Sequence, residues 1–200
     1  MNFYSAAIVV PCYNEATRLD SAAFRRFLGG DQRVALILVN DGSTDATLSV
    51  LQQLATEFPG AVTVIDQQPN QGKAEAVRIG LLAACDQAPI VGFWDADLAT
   101  PFIVMGEFLS IFNSRPQVQW VLGSRVKLLG RHIRRSELRH YLGRIFATGA
   151  SVILGLGVYD TQCGAKMFRA TPFFRSLIAT PFLTRWIFDV ELIARLTSAH

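Results

Sequence analysis

The chain has 200 residues, of which half are hydrophobic, and 19 Lys and Arg against 16 Asp and Glu give it a formal net charge of +3. This length suits one domain with an ample core. Mean hydropathy is high at +0.29, but no apolar run approaches the ~18 residues of a membrane-spanning helix, and the three widely spaced cysteines argue for reduced thiols rather than disulfides or a metal cluster.

The N-terminal part of the chain begins an alternation of strand and helix patterns. Residues 1–5 lack the basic and apolar regions of a signal peptide, so we expect the domain to stay in the cytosol. Ala6–Pro11 predicts a buried strand closed by proline. A helix is predicted from Asn14 towards Gly29 and Gly30, where the paired glycines would end it.

The next two units repeat this alternation. Val34–Val39 predicts the second strand, and in the polar turn after it Asp45 is placed to cap a helix. Ala61–Ile65 predicts the third strand, and the helix that follows runs to Cys85. Repeated strand, turn and helix predict an α/β fold with a mostly parallel central sheet, helices on both faces, and strand ends gathered along one edge.

Two carboxylates stand at the end of a short apolar run. Ile90–Trp94 predicts a buried strand, and Asp95 and Asp97 follow it one residue apart. On an extended chain they share a face, so both can point into one crevice at the carboxyl edge of the sheet, where open α/β sheets bind ligands. Two acids so close repel each other unless a cation lies between them, and oxygen ligands suit Mg²⁺ or Mn²⁺ better than zinc. An isolated pair of this kind is more often a solvated turn than a metal site.

Polar clusters follow all four predicted strands, so four turns are expected to converge on one site. Asp41 and Glu15 can accept hydrogen bonds from a base or ribose, and Lys73 supplies a point charge for a phosphate. For each of these residues alone, turn formation, helix capping or an exposed lysine is the commoner role. The sequence has no Walker pattern and no GxGxxG after the first strand, which removes the main support for the P-loop and dinucleotide interpretations.

Residues 125–144 form a basic segment. It holds seven of the 19 Lys and Arg residues, and Glu137 is its only acid. Nucleic acid, an anionic membrane surface or a phosphorylated substrate could each bind such a field, although aromatics are not interleaved for stacking on single strands. The apolar stretch Ile145–Val158 follows and is too short to span a bilayer. A basic segment beside an apolar helix suits a membrane interface, and a solvated charge run before a core helix is the alternative.

Seven motifs, in order, resemble those of the family 2 glycosyltransferases, which have the GT-A fold. They are Val10-Pro-Cys-Tyr-Asn-Glu15, Val39-Asn-Asp-Gly-Ser-Thr-Asp45, Asn70-Gln-Gly-Lys73 with Ala76-Val-Arg-Ile-Gly80, Asp95-Ala-Asp97, Gly123-Ser-Arg125, Asp160-Thr-Gln-Cys-Gly164 with Lys166-Met-Phe168, and Arg185-Trp-Ile-Phe-Asp-Val-Glu-Leu192. The last two motifs are similar to the branch that moves a sugar from a nucleotide donor onto a polyprenyl phosphate. Within it the dolichyl-phosphate glucosyltransferases are the nearest match and the dolichyl-phosphate mannose synthases the next.

The resemblance implies a role for individual residues. The implied nucleotide-sugar-binding residues are Pro11, Tyr13, Glu15, Asp41, Lys73, Asp95, Ala96 and Arg125. The implied acceptor-phosphate residues are Arg131, Arg135 and Arg139, and the implied metal ligands for Mg²⁺ or Mn²⁺ are Asp95 and Asp97. The candidate catalytic residues are Asp97, Asp189 and Glu191.

One departure from the mannose synthases bears on the donor. Those enzymes carry a metal-ligating glutamine two residues after the second aspartate, and this chain has Ala99 there. The glucosyltransferase-like members share the small residue, so the resemblance favours a UDP-sugar over GDP-mannose and leaves the third metal ligand open. If Asp189 and Glu191 lie on a helix they do not share a face, and capping that helix is an alternative role for Asp189.

The implied activity is inverting transfer of a hexose, glucose, from a UDP-sugar to a polyprenyl phosphate at the cytosolic face of a membrane. A GDP-mannose-dependent enzyme, a soluble family 2 enzyme with a polysaccharide acceptor, and a non-catalytic nucleotide-sugar-binding or scaffold protein remain alternatives. We expect one domain over residues 1–200, with a nucleotide-sugar half over about 1–122 and an acceptor and membrane-interface half over about 123–200. The chain ends in what resembles mid-helix, so it is expected to be incomplete at the C-terminus.

Overall fold

The structure, a computed structural model, is described for residues 4–30, 33–123 and 163–198. The strands in these ranges are β1 (Ala6–Cys12), β2 (Val34–Asp41), β3 (Val62–Gln67), β4 (Ile90–Trp94), β5 (Trp120–Leu122) and β6 (Ala165–Arg169). The helices are α1 (Ser21–Leu28), α2 (Thr47–Glu57), α3 (Lys73–Ala84), α4 (Val104–Ser114), α5 (Pro172–Ala179) and α6 (Phe188–Thr197). None of the helices in these ranges has the length and apolar character needed to cross a membrane.

The strands form one sheet in the order β3-β2-β1-β4-β6-β5. β1 to β4 are mutually parallel, whereas β6 runs antiparallel to both of its neighbours. The predicted α/β fold with a mostly parallel sheet is therefore confirmed. The sequence patterns missed β5 and β6, which close one side of the sheet.

Both faces of the central strands are buried, as expected when helices cover the two sides of a parallel sheet. On one face Ile8 and Leu36 pack in a cluster with Phe24 of α1. On the other face the alternate residues, including Val9, pack in a cluster with Val77 of α3. This double burial explains why the strands read as continuous apolar runs.

The predicted start of the first helix at Asn14 is wrong. Asn14 has a φ of 51°, and α1 begins only at Ser21, where the Asp20 carboxylate accepts a hydrogen bond from the Ala23 N–H at 3.0 Å. The backbone N–H groups after β1 donate instead to side chains of the loop after β2. These contacts between distant loops compete with helix formation and delay it.

Asp45 lies just outside the capping position that was predicted for it. The N-cap residue of α2 is Ala46, which makes no side-chain capping bond. The Asp45 carboxylate nevertheless accepts a hydrogen bond from the N–H of Thr47, the first residue of α2, at 2.9 Å, and another from the Ala16 N–H at 3.2 Å. Asp45 therefore joins the start of α2 to the turn after β1.

Two helical glycines differ in the space around them and allow a paired test of the packing. A Cβ at Gly80 of α3 would overlap Val9 of β1 and approach Val39 of β2, whereas a Cβ at Gly106 of α4 meets nothing within 4 Å. We expect Gly80→Ala to lower the free energy of unfolding by about 1–3 kcal/mol through overpacking. Gly106→Ala should raise it by about 0.5–1 kcal/mol through helix propensity. Urea denaturation of both variants checks this, and equal effects would contradict the described packing of α3 on the sheet.

Candidate active site

Hydrogen bonds join the loops that follow β1 and β2. The Asn14 N–H donates to Ser43 Oγ at 3.0 Å, and the Thr44 N–H donates to Asn14 Oδ1 at 2.9 Å. The Glu15 N–H donates to Thr47 Oγ1 at 2.7 Å. The predicted convergence of these two turns is confirmed, and it fixes the backbone around Tyr13.

Asp41, at the end of β2, binds the loop before α3 with both carboxylate oxygens. Oδ1 accepts the Gln71 N–H at 2.8 Å, and Oδ2 accepts the Gly72 N–H and the Asn70 side-chain amide, each at 2.9 Å. Only 3% of Asp41 is exposed. The next residue, Gly42, has a φ of +64°, and a Cβ there would overlap the backbone of Asn70. In this structure Asp41 therefore positions residues 70–72, and its direct contact with a nucleoside remains a prediction.

Arg185 holds the same loop from the opposite side. Its guanidinium donates to Gln71 O at 2.9 Å and to Asn70 Oδ1 at 2.7 Å, and its backbone carbonyl accepts the Ala74 N–H at 3.0 Å. Gly72 has a φ of +97°, and a Cβ there would lie 2.9 Å from Arg185 Cβ. The loop that presents Lys73 is thus fixed between Asp41 and Arg185. Sequence reasoning assigned Arg185 no role, since its partners are more than a hundred residues away.

Lys73 and Asp95 form an ion pair at the carboxyl edge of the sheet. Lys73 Nζ lies 2.5 Å from Asp95 Oδ1, and both side chains are about one-quarter exposed. On the other side of the carboxylate, the Asp95 N–H donates to Gly164 O at 2.9 Å, and a Cβ at Gly164 would overlap the Asp95 carboxylate. Asp97 is exposed, and its Oδ1 accepts the Ala99 N–H at 3.0 Å. The structure therefore brings together Lys73 and Asp95, which the sequence assigned to one site.

The acidic surroundings keep Lys73 charged. Burial lowers the pKa of Lys73, but the pKa is raised overall. The groups that raise it are Asp95, by attraction and by its hydrogen bond, and then Asp189 and Asp97 by attraction. Asp189 of α6 therefore lies within electrostatic reach of this ion pair. The ammonium is fully protonated at neutral pH and can compensate negative charge at the edge of the sheet.

A second charge pair lies beneath the first. Lys166 of β6 is 0% exposed, and its Nζ lies 3.0 Å from Asp189 Oδ1. It also donates to Cys163 O at 2.5 Å and lies 5.2 Å from the centre of the Phe93 ring. Burial raises the pKa of Asp189, while attraction to Lys166 and Lys73 opposes that rise. The sequence indicated no role for Lys166 beyond its place in a motif. A lysine inside a strand gives no local signal of a partner on a later helix.

Asp189 and Glu191 point to different partners on α6. Glu191 pairs with Arg195 at 2.6 Å and accepts the Leu183 N–H at 2.8 Å, so it fixes the segment before the helix. The prediction that the two acids do not share a face is confirmed. The alternative that Asp189 caps the helix is wrong, because Ile187 is the N-cap residue and no side-chain capping bond is present.

The remaining predicted site residues differ in exposure. Tyr13 is 45% exposed and Pro11 is partly buried. Glu15 pairs with Arg18 at 2.5 Å, and Ala96 is 6% exposed. The predicted phosphate-binding residues Arg125, Arg131, Arg135 and Arg139 lie outside the described residues.

The donor set can be compared with the needs of a divalent ion. Within residues 4–30, 33–123 and 163–198, no three Asp, Glu, His or Cys side chains gather as a metal site. Asp95 and Asp97 supply carboxylate oxygens, and Ala99 supplies no side-chain ligand. Mg²⁺ commonly binds through one or two carboxylates together with substrate phosphates and water. These residues therefore fit Mg²⁺ or Mn²⁺ held jointly with a diphosphate.

A mainly apolar pocket lies elsewhere on the molecule. It has a volume of about 280 Å³ and is lined by residues that include Trp120, Arg169 and Phe174. Arg169 pairs with Ile90, the first residue of β4, so this pocket is at the opposite edge of the sheet from Asp95. The convergent charged groups place the candidate active site at the carboxyl edge instead.

The mostly parallel sheet, with an antiparallel β6 beside the strand that delivers the acidic pair, is the architecture of the GT-A fold. The sequence profile described as "Glycosyl transferase family 2" matches residues 7–175. The chain belongs to this family, which confirms the resemblance of its motifs.

Two curated relatives are similar over most of this chain. A dolichyl-phosphate beta-glucosyltransferase from Dictyostelium discoideum is 31% identical in a match that covers 94% of this chain and 60% of that protein. One from Drosophila melanogaster is 33% identical in a match that covers 94% of this chain and 61% of that protein. The chain therefore spans about 60% of the length of these relatives.

A solved structure shares the fold. Glucosyl-3-phosphoglycerate synthase from Mycobacterium tuberculosis, in complex with Mn²⁺, uridine diphosphate and glucosyl-3-phosphoglycerate, matches with a TM-score of 0.63 at 20% identity. The match covers 95% of this chain and 64% of that one. Structures of this fold are thus known with a divalent ion and a nucleotide.

The buried pair of Lys166 and Asp189 allows a stability prediction. Lys166→Met leaves a buried carboxylate without its partner, so we expect the free energy of unfolding to fall by about 3–5 kcal/mol at neutral pH. The double variant Lys166→Met/Asp189→Leu should recover much of this loss, because neither charge remains. Urea denaturation measures both, with Arg175→Met in the exposed pair with Asp86 as a control that should change stability little. Equal losses in the single and double variants would contradict the pairing.

The contact between Gly164 and Asp95 allows a second prediction. A methyl group at position 164 would overlap the Asp95 carboxylate, so Gly164→Ala should displace this side chain and weaken binding of UDP with Mn²⁺ by about tenfold or more. Isothermal titration calorimetry measures the binding, and circular dichroism checks that the fold persists. Gly106→Ala, where a methyl group meets nothing, is the matched control. Unchanged affinity in a folded Gly164→Ala protein would separate Asp95 from the binding site.

Proposed function

We propose that this chain is the catalytic part of an inverting transferase that moves glucose from a UDP-sugar to a polyprenyl phosphate. The observation that carries the proposal is the ion pair of Lys73 and Asp95 at the carboxyl edge of the sheet, with Asp97 within electrostatic reach of the same ammonium and the joined loops of β1 and β2 beside it. The relatives named as dolichyl-phosphate glucosyltransferases support the acceptor class and the hexose. The related synthase bound to Mn²⁺ and uridine diphosphate supports the donor and the cofactor.

The donor half, residues about 1–122, binds the nucleotide-sugar. Pro11, Tyr13 and Glu15 line the nucleoside pocket, and Asp41 acts on it through the loop at residues 70–72. Asp95 and Asp97 would hold Mg²⁺ or Mn²⁺, and the bound ion supplies neutralisation of the diphosphate charge. The Lys73 ammonium adds a point charge for the same phosphates.

The chemistry is one in-line displacement. An oxygen of the acceptor phosphate attacks the anomeric carbon while the bond from that carbon to the diphosphate oxygen breaks, so UDP leaves with the electron pair and the configuration inverts. A phosphate monoester has a second pKa of ~6 and is mostly ionised at neutral pH, so no strong general base is needed. Positioning and charge compensation then account for most of the rate. Asp189, anchored by Lys166, orients groups beside Asp95, and Glu191 fixes the segment before α6.

The acceptor half, residues about 123–200, includes the basic segment with Arg125, Arg131, Arg135 and Arg139. In this proposal Arg125 binds donor phosphate, and the other three arginines bind the acceptor phosphate where the chain meets the cytosolic face of a membrane. Cationic side chains beside an apolar stretch suit both lipid headgroups and a lipid phosphate. Substitutions of Arg131, Arg135 and Arg139 should therefore affect binding of the acceptor and not binding of the donor.

A transfer assay tests the proposal with Asp97→Asn as the variant. Purified protein with Mg²⁺ or Mn²⁺ is incubated with sugar-labelled UDP-glucose or GDP-mannose and a polyprenyl phosphate in vesicles, and label is measured in the lipid extract. We expect transfer from UDP-glucose, and a loss of about 100-fold or more in Asp97→Asn because a metal ligand is removed.

The control for that variant is Asp86→Asn, which removes an exposed carboxylate of the pair with Arg175 at the other end of α3. It should leave transfer unchanged. Absence of transfer from both UDP-glucose and GDP-mannose would overturn the proposal. Transfer from GDP-mannose alone would instead support the mannose-synthase alternative. In a flotation experiment, protein that rises with the vesicles supports a membrane acceptor, and protein that stays behind supports a soluble polysaccharide.

A further inference from the structure

The Asp95 carboxylate, one of the two groups proposed to hold a divalent ion, is covered from two sides by the chain itself. Lys73 Nζ lies 2.5 Å from Oδ1. On the other side Gly164 packs so closely that a Cβ there would overlap the carboxylate, with Oδ2 the nearest atom. An ion approaching Asp95 therefore meets an ammonium group at one oxygen and backbone at the other.

The position of Lys73 is set by the fold. Lys73 is the first residue of α3, and the loop before it is fixed between Asp41 and Arg185. Asp95, Asp97 and Asp189 all attract the ammonium, while Lys166 is engaged deeper with Asp189. Lys73 thus lies within electrostatic reach of three carboxylates, and Asp95 is the one that it contacts.

We propose that Lys73 occupies the cation position at Asp95 in the ligand-free protein, so that the divalent ion binds together with a diphosphate and not before it. Divalent ions bind carboxylate oxygens at about 2.0–2.6 Å, which would bring an ion close to an ammonium group on the same carboxylate. Two like charges so close repel strongly in a partly buried site. With Ala99 in place of a third side-chain ligand, the ion alone has little to offset that repulsion.

A diphosphate offsets the repulsion between the ion and Lys73 because it supplies oxygen ligands and negative charge. Its oxygens complete the coordination of the ion, and its negative charge gives Lys73 a second partner. Binding of ion and diphosphate is then positively coupled, and the coupling acts equally in both directions. This inference rests on the proposed function for the identity of the diphosphate, and it adds the order in which the site is filled.

The test measures Mn²⁺ binding without any turnover. Electron paramagnetic resonance reports free aqueous Mn²⁺ as the protein is titrated, with and without UDP. We expect weak binding to the native chain that UDP tightens about tenfold or more, within the usual range of coupling between sites. Lys73→Met should bind Mn²⁺ alone about tenfold more tightly than the native chain, because the competing charge is gone. Binding to Lys73→Met that is no tighter than native, or native binding that is equally tight with and without UDP, overturns the proposal.

Two further variants separate local competition from net charge and from misfolding. Lys73→Arg keeps the positive charge and should bind Mn²⁺ alone as weakly as the native chain. Arg25→Met removes a cation from the exposed pair with Glu57, and a gain in Mn²⁺ affinity as large as that of Lys73→Met would overturn the proposal. If circular dichroism shows Lys73→Met unfolded, Lys73→Gln takes its place and the native comparison with and without UDP still decides. Failure of sugar transfer with this binding pattern intact would overturn the proposed function and leave the order of binding standing.

Discussion

The contact between Asp95 and Lys73 is the interaction on which the candidate active site depends. It joins the end of β4 to the start of α3, so it fixes the two elements whose groups we propose to bind an ion and a phosphate. A carboxylate and an ammonium in a partly buried place attract each other more strongly than in water. Gly164 adds a steric limit on the other side of the carboxylate, which leaves Asp95 little freedom to turn away.

Around this contact the backbone of the loops is fixed mainly by side chains from other loops. Asp41 accepts the N–H groups before Lys73, Arg185 binds the carbonyl groups of the same residues, and Ser43 binds the turn after β1. Buried or partly buried groups of this kind satisfy backbone that no regular element satisfies. The chain's own side chains therefore hold the loops of the site in place, which favours reactions that depend on positioning.

Features with a local sequence pattern could be predicted, whereas features that depend on distant contacts could not. The four parallel strands were predicted because apolar runs with polar turns are local patterns, and Asp95, Asp97 and Lys73 were found because short motifs carry them. The roles of Lys166 and Arg185 were not predicted, since each role depends on a contact with a residue far away in the sequence. The predicted start of α1 was wrong for the same reason, because side chains from the loop after β2 and from the first residue of α2 accept hydrogen bonds from the N–H groups that a helix would use.

The antiparallel strand β6 comes late in the chain, yet it lies between β4 and β5 and brings Gly164 and Lys166 to the acidic edge. Residues about 123–200, which we propose to bind the acceptor, therefore also support the Lys73–Asp95 pair. Replacement of this segment would remove an internal strand of the sheet and the residues packed against Asp95 at the same time. A substitution in β6 therefore acts in two places at once, because the strand is internal to the sheet and also carries the lysine that pairs with Asp189.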